Sequence, residues 1–80
     1  MDSPEILVDA RGHRCPVPTL RLRRALEAAP PGARLVLVAD DPLARIDVPH
    51  FLAEAGAELA SVAEEGLALR FLIVKPRAPR

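Results

Sequence analysis

Residues 34–40 read RLVLVAD, a run of five apolar residues between an arginine and an aspartate. The run is short for a helix and has no polar face. It therefore reads as a strand with apolar groups on both sides, the pattern of a central strand. That demand organises everything else, because a central strand needs a neighbour on each edge and a layer to cover it. The chain is 80 residues long and is read as one domain, 1–80. A chain of this size buries only about two-thirds of its unfolded surface, so the core is thin. With Phe51 and Phe71 as the only aromatic residues, that core has to be built from Leu, Val, Ile and Ala.

The flanking segments supply what the central strand needs. EILVDA (5–10) is a second short apolar run, followed by Gly12, and is predicted to be a buried strand. Residues 16–29 are predicted to be a helix with Leu22, Ala25, Leu26 and Ala29 on one face and Arg23, Arg24 and Glu27 away from it. Pro30-Pro31-Gly32 stops it. Residues 40–56 read as an interrupted helix. Asp41 caps its start with Pro42 in the first turn. Pro49 disfavours a helical Val48, so Asp47 is expected to cap a second start that runs to Gly56. Residues 57–64 and 67–75 read as strands joined near Glu65-Gly66, and residues 77–80 as a frayed tail.

The order β-α-β-α-β-β implies an α/β fold, a two-layer sandwich whose mixed four-stranded sheet carries two helices on one face. A right-handed first crossover makes the first two strands parallel. In the last strand Leu72 and Val74 alternate with Phe71 and Ile73, so the helix-free face is expected to be partly apolar.

Net charge is zero, and no global field favours nucleic acid or an anionic membrane. The charges are nevertheless segregated. Arg11, Arg14, Arg21, Arg23 and Arg24 form a run with no acid among them, while Asp40, Asp41, Asp47, Glu54, Glu58, Glu64 and Glu65 come later. One cysteine cannot form an intramolecular disulfide, on which small secreted domains usually rely. The acidic N-terminus lacks the apolar run of a secretory signal, and no stretch approaches the roughly 20 apolar residues of a membrane span. A reducing, cytoplasmic location is the expectation.

The single thiol stands in RGHRCPVPTLRLRR, residues 11–24. With Cys15 as N-cap, Pro16 falls at the first helical position and Pro18 at the third, both among positions whose N–H has no helical partner. The two prolines stiffen the first turn and leave the Val17 N–H as the local donor to the sulfur. Such a setting favours thiolate, the reactive form. A helix terminus contributes about 0.3–1 kcal/mol, less than one pKa unit, and Arg14, Arg11 or a protonated His13 would add to it. A sulfur received from a better activated donor would gain more, because a persulfide is more acidic than a thiol. An inert, buried cysteine is the competing reading.

DARGHRCPVP, an Arg-rich helix, a strand ending ADDP and then DVPHFLAEAG together resemble the TusA/SirA-like sulfur carriers, from about Val8 to Lys75. The resemblance implies the β-α-β-α-β-β two-layer fold and a cysteine that accepts sulfane sulfur. By position Cys15 is the acceptor, Pro16 and Pro18 hold the helix start, and Asp40, Asp41 and Pro42 form the second motif. It further implies a donor such as a cysteine desulfurase, a downstream relay protein and, in the TusA branch, delivery toward tRNA 2-thiouridine, with no cofactor. Parallel neighbouring strands would place the loops holding Cys15 and Asp40/Asp41 on one edge of the sheet, the edge favoured by ligand sites in open α/β sheets. Asp40 is expected to orient His13 or an arginine there, and Asp41 to cap a helix.

One Cys and two His, with His50 far from His13 in sequence, do not make a zinc site; His50 reads as an early residue of the second helix. Arg11, Arg21 and Arg24, with Leu20 off the main apolar face, are the candidate contacts to an acidic partner protein. The lack of nearby aromatics argues against direct single-strand RNA binding. A monomer forming transient complexes fits a carrier. Two other classes stay open: an interaction or regulatory module with a structural Cys15, and a single-cysteine redox sensor.

Overall fold

A computed structural model describes residues 5–14 and 16–76. Its elements follow the predicted order: β1 (Glu5–Asp9), α1 (Val17–Ala28), β2 (Arg34–Ala39), α2 (Ala44–Ala55), β3 (Glu58–Glu65) and β4 (Ala68–Val74). The strands form one mixed sheet in the order β1-β2-β4-β3. β1 runs parallel to β2, whereas β4 is antiparallel to both β2 and β3. The expected tail, 77–80, lies outside the described residues, as does Cys15.

β2 is central, as its apolar run requires. Leu35, Leu37 and Ala39 enter the core beneath the helices, together with Val8 and Ala10 from the β1 side and Leu69, Phe71 and Ile73 from β4. The helices contribute Leu22, Leu26 and Ala29 from α1, and Ala44, Val48 and Leu52 from α2. The other face carries no helix. There Val36 and Val38 are buried, while Leu7 on the open edge is 65% exposed. Leu72 and Val74 are half-buried, so this face is partly apolar as expected. Its charged margin includes Arg70, whose guanidinium lies 3.6 Å from the Glu65 carboxylate.

Three local expectations are corrected. The first helix starts one residue late: Pro16 is its N-cap, with no side-chain cap bond, so Val17 and Pro18 occupy the first two helical positions. α2 is one helix with Pro49 inside it. Asp47 stands in its first turn and caps no second start. Burial of Ala44, Val48 and Leu52 on one face outweighs the hydrogen bond that the proline removes, which is a tertiary override of a local signal. His50 accordingly falls in mid-helix, exposed, with Nε2 3.3 Å from the Glu54 carboxylate. In the hairpin, Glu65 pairs with Ala68, so the two turn residues are Gly66 and Leu67.

Both helices end as the sequence proposes. Gly56 closes α2 with φ of 75°, a conformation that glycine adopts without a steric penalty. The end of α1 is held from a distance. The Lys75 ammonium donates to the carbonyls of Leu26 and Ala29, each at 2.6 Å, which places a cation on the negative end of the helix dipole. Lys75→Met should cost about 1–2 kcal/mol. At roughly 4–8 °C per kcal/mol for a domain this small, calorimetry should show the midpoint falling by about 4–16 °C.

Candidate functional site

β1 and β2 lie side by side and parallel, with Asp9 in register with Val38. Their carboxyl ends therefore deliver two loops, residues 10–16 and 40–43, to one edge of the sheet. An aspartate at the start of each connection folds back on the backbone two residues ahead: Asp9 at the end of β1 and Asp41 after β2. Asp9 accepts the Arg11 N–H at 3.1 Å, and Asp41 accepts the Leu43 N–H at 3.1 Å. These are Asx turns, the local hydrogen bond that makes Asp a turn former. Asp41 thus initiates a turn before α2, whose N-cap is Leu43. The helix cap expected at Asp41 shifts outward, and the residue is only 5% exposed.

The loop after β1 is held at four points. The Ala10 N–H donates to the Val38 carbonyl at 2.8 Å, and the His13 N–H returns to the Ala10 carbonyl at 3.3 Å. The Arg11 guanidinium grips Asp9 with two bonds, Nε at 3.0 Å and Nη2 at 2.9 Å. The Gly12 N–H points between the two carboxylate oxygens of Asp40, at 3.0 and 3.1 Å. Asp40 was expected to orient His13 or an arginine; among the described residues its carboxylate accepts the Gly12 N–H, and its charge also acts on Arg11. Gly12 has φ of 83°, and nothing lies within 4 Å of where a Cβ would stand. The dihedral and not crowding calls for glycine.

Past Cys15 the chain turns into α1. The Val17 N–H donates to the Arg14 carbonyl at 2.9 Å. The bond expected from the Val17 N–H to the Cys15 sulfur lies outside the described residues. Thr19 Oγ1 donates to the Pro16 carbonyl at 2.9 Å. Pro18 is buried and lines one crevice with Thr19, Asp41, Ala44 and Asp47. The starts of α1 and α2 are thereby packed against each other, and Pro18 and Asp41 of the two sequence motifs meet.

The arginine run separates into different tasks. Arg11 is tied to Asp9, and Arg21 reaches from α1 to the Asp9 carbonyl at 3.4 Å. Arg23 lies over the Phe51 ring, 5.2 Å from its centre, a cation–π contact. Arg14 and Arg24 are exposed. Leu20 is 51% exposed and, as expected, off the main apolar face. It shares a shallow depression with Thr19, Arg23, Asp47, His50, Phe51 and Glu54. A groove of about 960 Å³ lies at the other end of the helices, where Leu26, Phe51, Gly56 and Lys75 line it, and holds no residue of CPVP or ADDP. Among the described residues no cluster of His, Cys, Asp and Glu is arranged to bind a metal ion, and no helix is long and apolar enough to cross a membrane.

Asp9 is the site residue that the sequence reading missed. The signal for it was present in DAR, an aspartate two residues before an arginine at a strand end. The side-chain bonds from Arg11, then its backbone N–H, lower the Asp9 pKa from 3.8 to about 2. A lowered folded-state pKa gives stabilisation that is present above the ordinary value and lost as pH falls through the folded value. Melting curves of wild type and Asp9→Asn should therefore coincide below about pH 2 and separate as pH rises to 3.8 and beyond, with wild type the more stable.

Residues 6–75 match the protein-family model described as Sulfurtransferase TusA. Among solved structures, the chain is similar to a SirA-like protein from Desulfitobacterium hafniense. The TM-score is 0.77 at 23% identity, covering 89% of this chain and 97% of that one. At that identity the likeness speaks for the fold.

Proposed function

Since the chain belongs to the sulfurtransferase TusA family, we propose that it carries sulfane sulfur as a persulfide on Cys15 and exchanges it with partner proteins. One observation carries the proposal: the family match spans 6–75, and within it Cys15 is the chain's sole cysteine. The chemistry is thiol exchange. The Cys15 thiolate attacks the outer sulfur of a donor persulfide, the donor's S–S bond breaks, and the donor cysteine leaves as thiolate. One S–S bond forms as one breaks, so neither oxidant nor cofactor is needed. Unloading is the same step in reverse, with an acceptor thiolate attacking the outer sulfur of the Cys15 persulfide.

The chain supports this step by placement. Residues 10–14 are tied to the ends of β1 and β2, and residues 16–19 start a helix stiffened by two prolines. The N-terminus of α1 bears the positive end of a helix dipole, which favours an anion such as a thiolate or persulfide. Arg14, Arg24 and Leu20, all exposed, suit an acidic and partly apolar partner surface, where charge speeds a transient encounter. A cysteine desulfurase as donor, and a relay protein leading toward tRNA 2-thiouridine as acceptor, fit that description.

The test is intact mass after incubation with a cysteine desulfurase, pyridoxal phosphate and free cysteine. A gain of one sulfur, removed by reductant, is the expected result. No gain from an active desulfurase, and none from a low-molecular-weight persulfide donor, would overturn the carrier reading. Oxidant-driven dimerisation without sulfur transfer would replace it with a redox sensor.

A further inference from the structure

We propose that Asp40 is a positioning residue, whose carboxylate holds the Gly12 amide and so fixes the segment that leads into Cys15. The inference rests on the carrier reading for what Cys15 does, but the geometry behind it is independent. Past the buried Ala10, residues Arg11, Gly12 and Arg14 are exposed and His13 is half-buried, and no apolar side chain of 11–14 anchors the segment in the core. Gly12 sits in the left-handed region with open space around it, so packing does not fix its conformation. The bond from Gly12 to Asp40 spans 28 residues and ties the β1 loop to the residue that follows β2. Both Asp40 oxygens converge on that single N–H, a charge-assisted contact stronger than a neutral one.

A carboxylate on this edge gives a thiolate no electrostatic help. Its contribution is therefore geometric. Asp9 and Arg11 form the other half of the device. Arg11 is clamped at the foot of the loop, and the Arg21 guanidinium reaches the Asp9 carbonyl from α1. The loop is thus held from β1, from the end of β2 and from α1, while its own residues remain open to a partner.

Two variants separate geometry from charge in the full chain. Asp40→Asn removes the charge and keeps an oxygen that accepts the Gly12 N–H; Asp40→Ala removes both. Three quantities are read: exchange of the Gly12 amide by NMR, the pH profile of Cys15 alkylation by iodoacetamide, and the rate of loading from a small persulfide donor. Asp40→Asn should keep Gly12 protected and load within about two-fold of wild type. Asp40→Ala should expose Gly12 and load about ten-fold more slowly, as expected for a misplaced reacting group. Its alkylation midpoint should also move away from that of Asp40→Asn, which no shared loss of charge explains. Equal behaviour of the two variants in all three measurements would overturn the proposal. If wild type takes up no sulfur from any donor, the carrier reading fails, while amide exchange and alkylation still decide the role of Asp40.

Discussion

Cys15→Ser should reduce sulfur loading to background, the largest functional effect expected of any single substitution in this chain. There is no second cysteine to take over, and a serine hydroxyl neither ionises near neutral pH nor forms a persulfide. The change replaces one atom, and bonds described on either side of it hold the chain through other residues: Gly12 to Asp40, His13 to Ala10, and Val17 to Arg14. The fold should therefore survive, with a melting midpoint within a few degrees of wild type. Loading and melting measured on the same preparation separate loss of chemistry from loss of structure. A serine variant that still gains a reductant-sensitive sulfur would exclude Cys15 as the acceptor. Loss of loading together with collapse of the melting midpoint would assign Cys15 to the fold instead.

Much of the architecture is legible in the sequence because burial writes itself into periodicity. The run at 35–39 has no polar position, and the structure buries every residue of it. Leu22, Leu26 and Ala29 recur at helical spacing and reach the core together. What periodicity does not encode is the outcome of competition between a local signal and the whole fold. Pro49 is a local instruction to break α2, overridden by Ala44, Val48 and Leu52 packing as one stripe. The one-residue shift at Pro16 is of the same kind, since the two prolines fit either frame of the helix start.

The candidate site was legible at the level of its motifs and illegible at the level of its bonds. CPVP and ADDP mark the two loops, and parallel β1 and β2 bring them to one edge. Which donor meets which acceptor depends on loop dihedrals that residue types alone do not specify. Asp40 could face an arginine or an imidazole as well as an amide. The left-handed turn at Gly12 is what presents the backbone N–H to it. Arg11 and Arg21 look like partner contacts when read as part of a basic run, but both reach back to Asp9. Under the proposed carrier function, Arg14 and Arg24, both exposed, are then the better candidates for a partner contact.

Phe71→Ala should be the most destabilising substitution. Phe71 is the largest fully buried side chain. It stands on β4 opposite Leu37 on one neighbouring strand and Val62 on the other, at the centre of three of the four strands. Truncating a buried Phe costs about 3–5 kcal/mol. A domain of 80 residues holds only about 4–12 kcal/mol in total, at roughly 0.05–0.15 kcal/mol per residue, so the variant should lose about a quarter or more of its stability. Two controls give the prediction its edge. Phe51, half-buried and topped by Arg23, should cost clearly less when truncated, because part of its ring already faces water. Leu67, 97% exposed in the hairpin turn, should change stability by no more than about 0.5 kcal/mol. Urea titration of the three variants reads the order directly. If Phe51→Ala proved as damaging as Phe71→Ala, the core would extend between the helices as much as between helix and sheet. The thin single core on which this fold depends would then have to be redrawn.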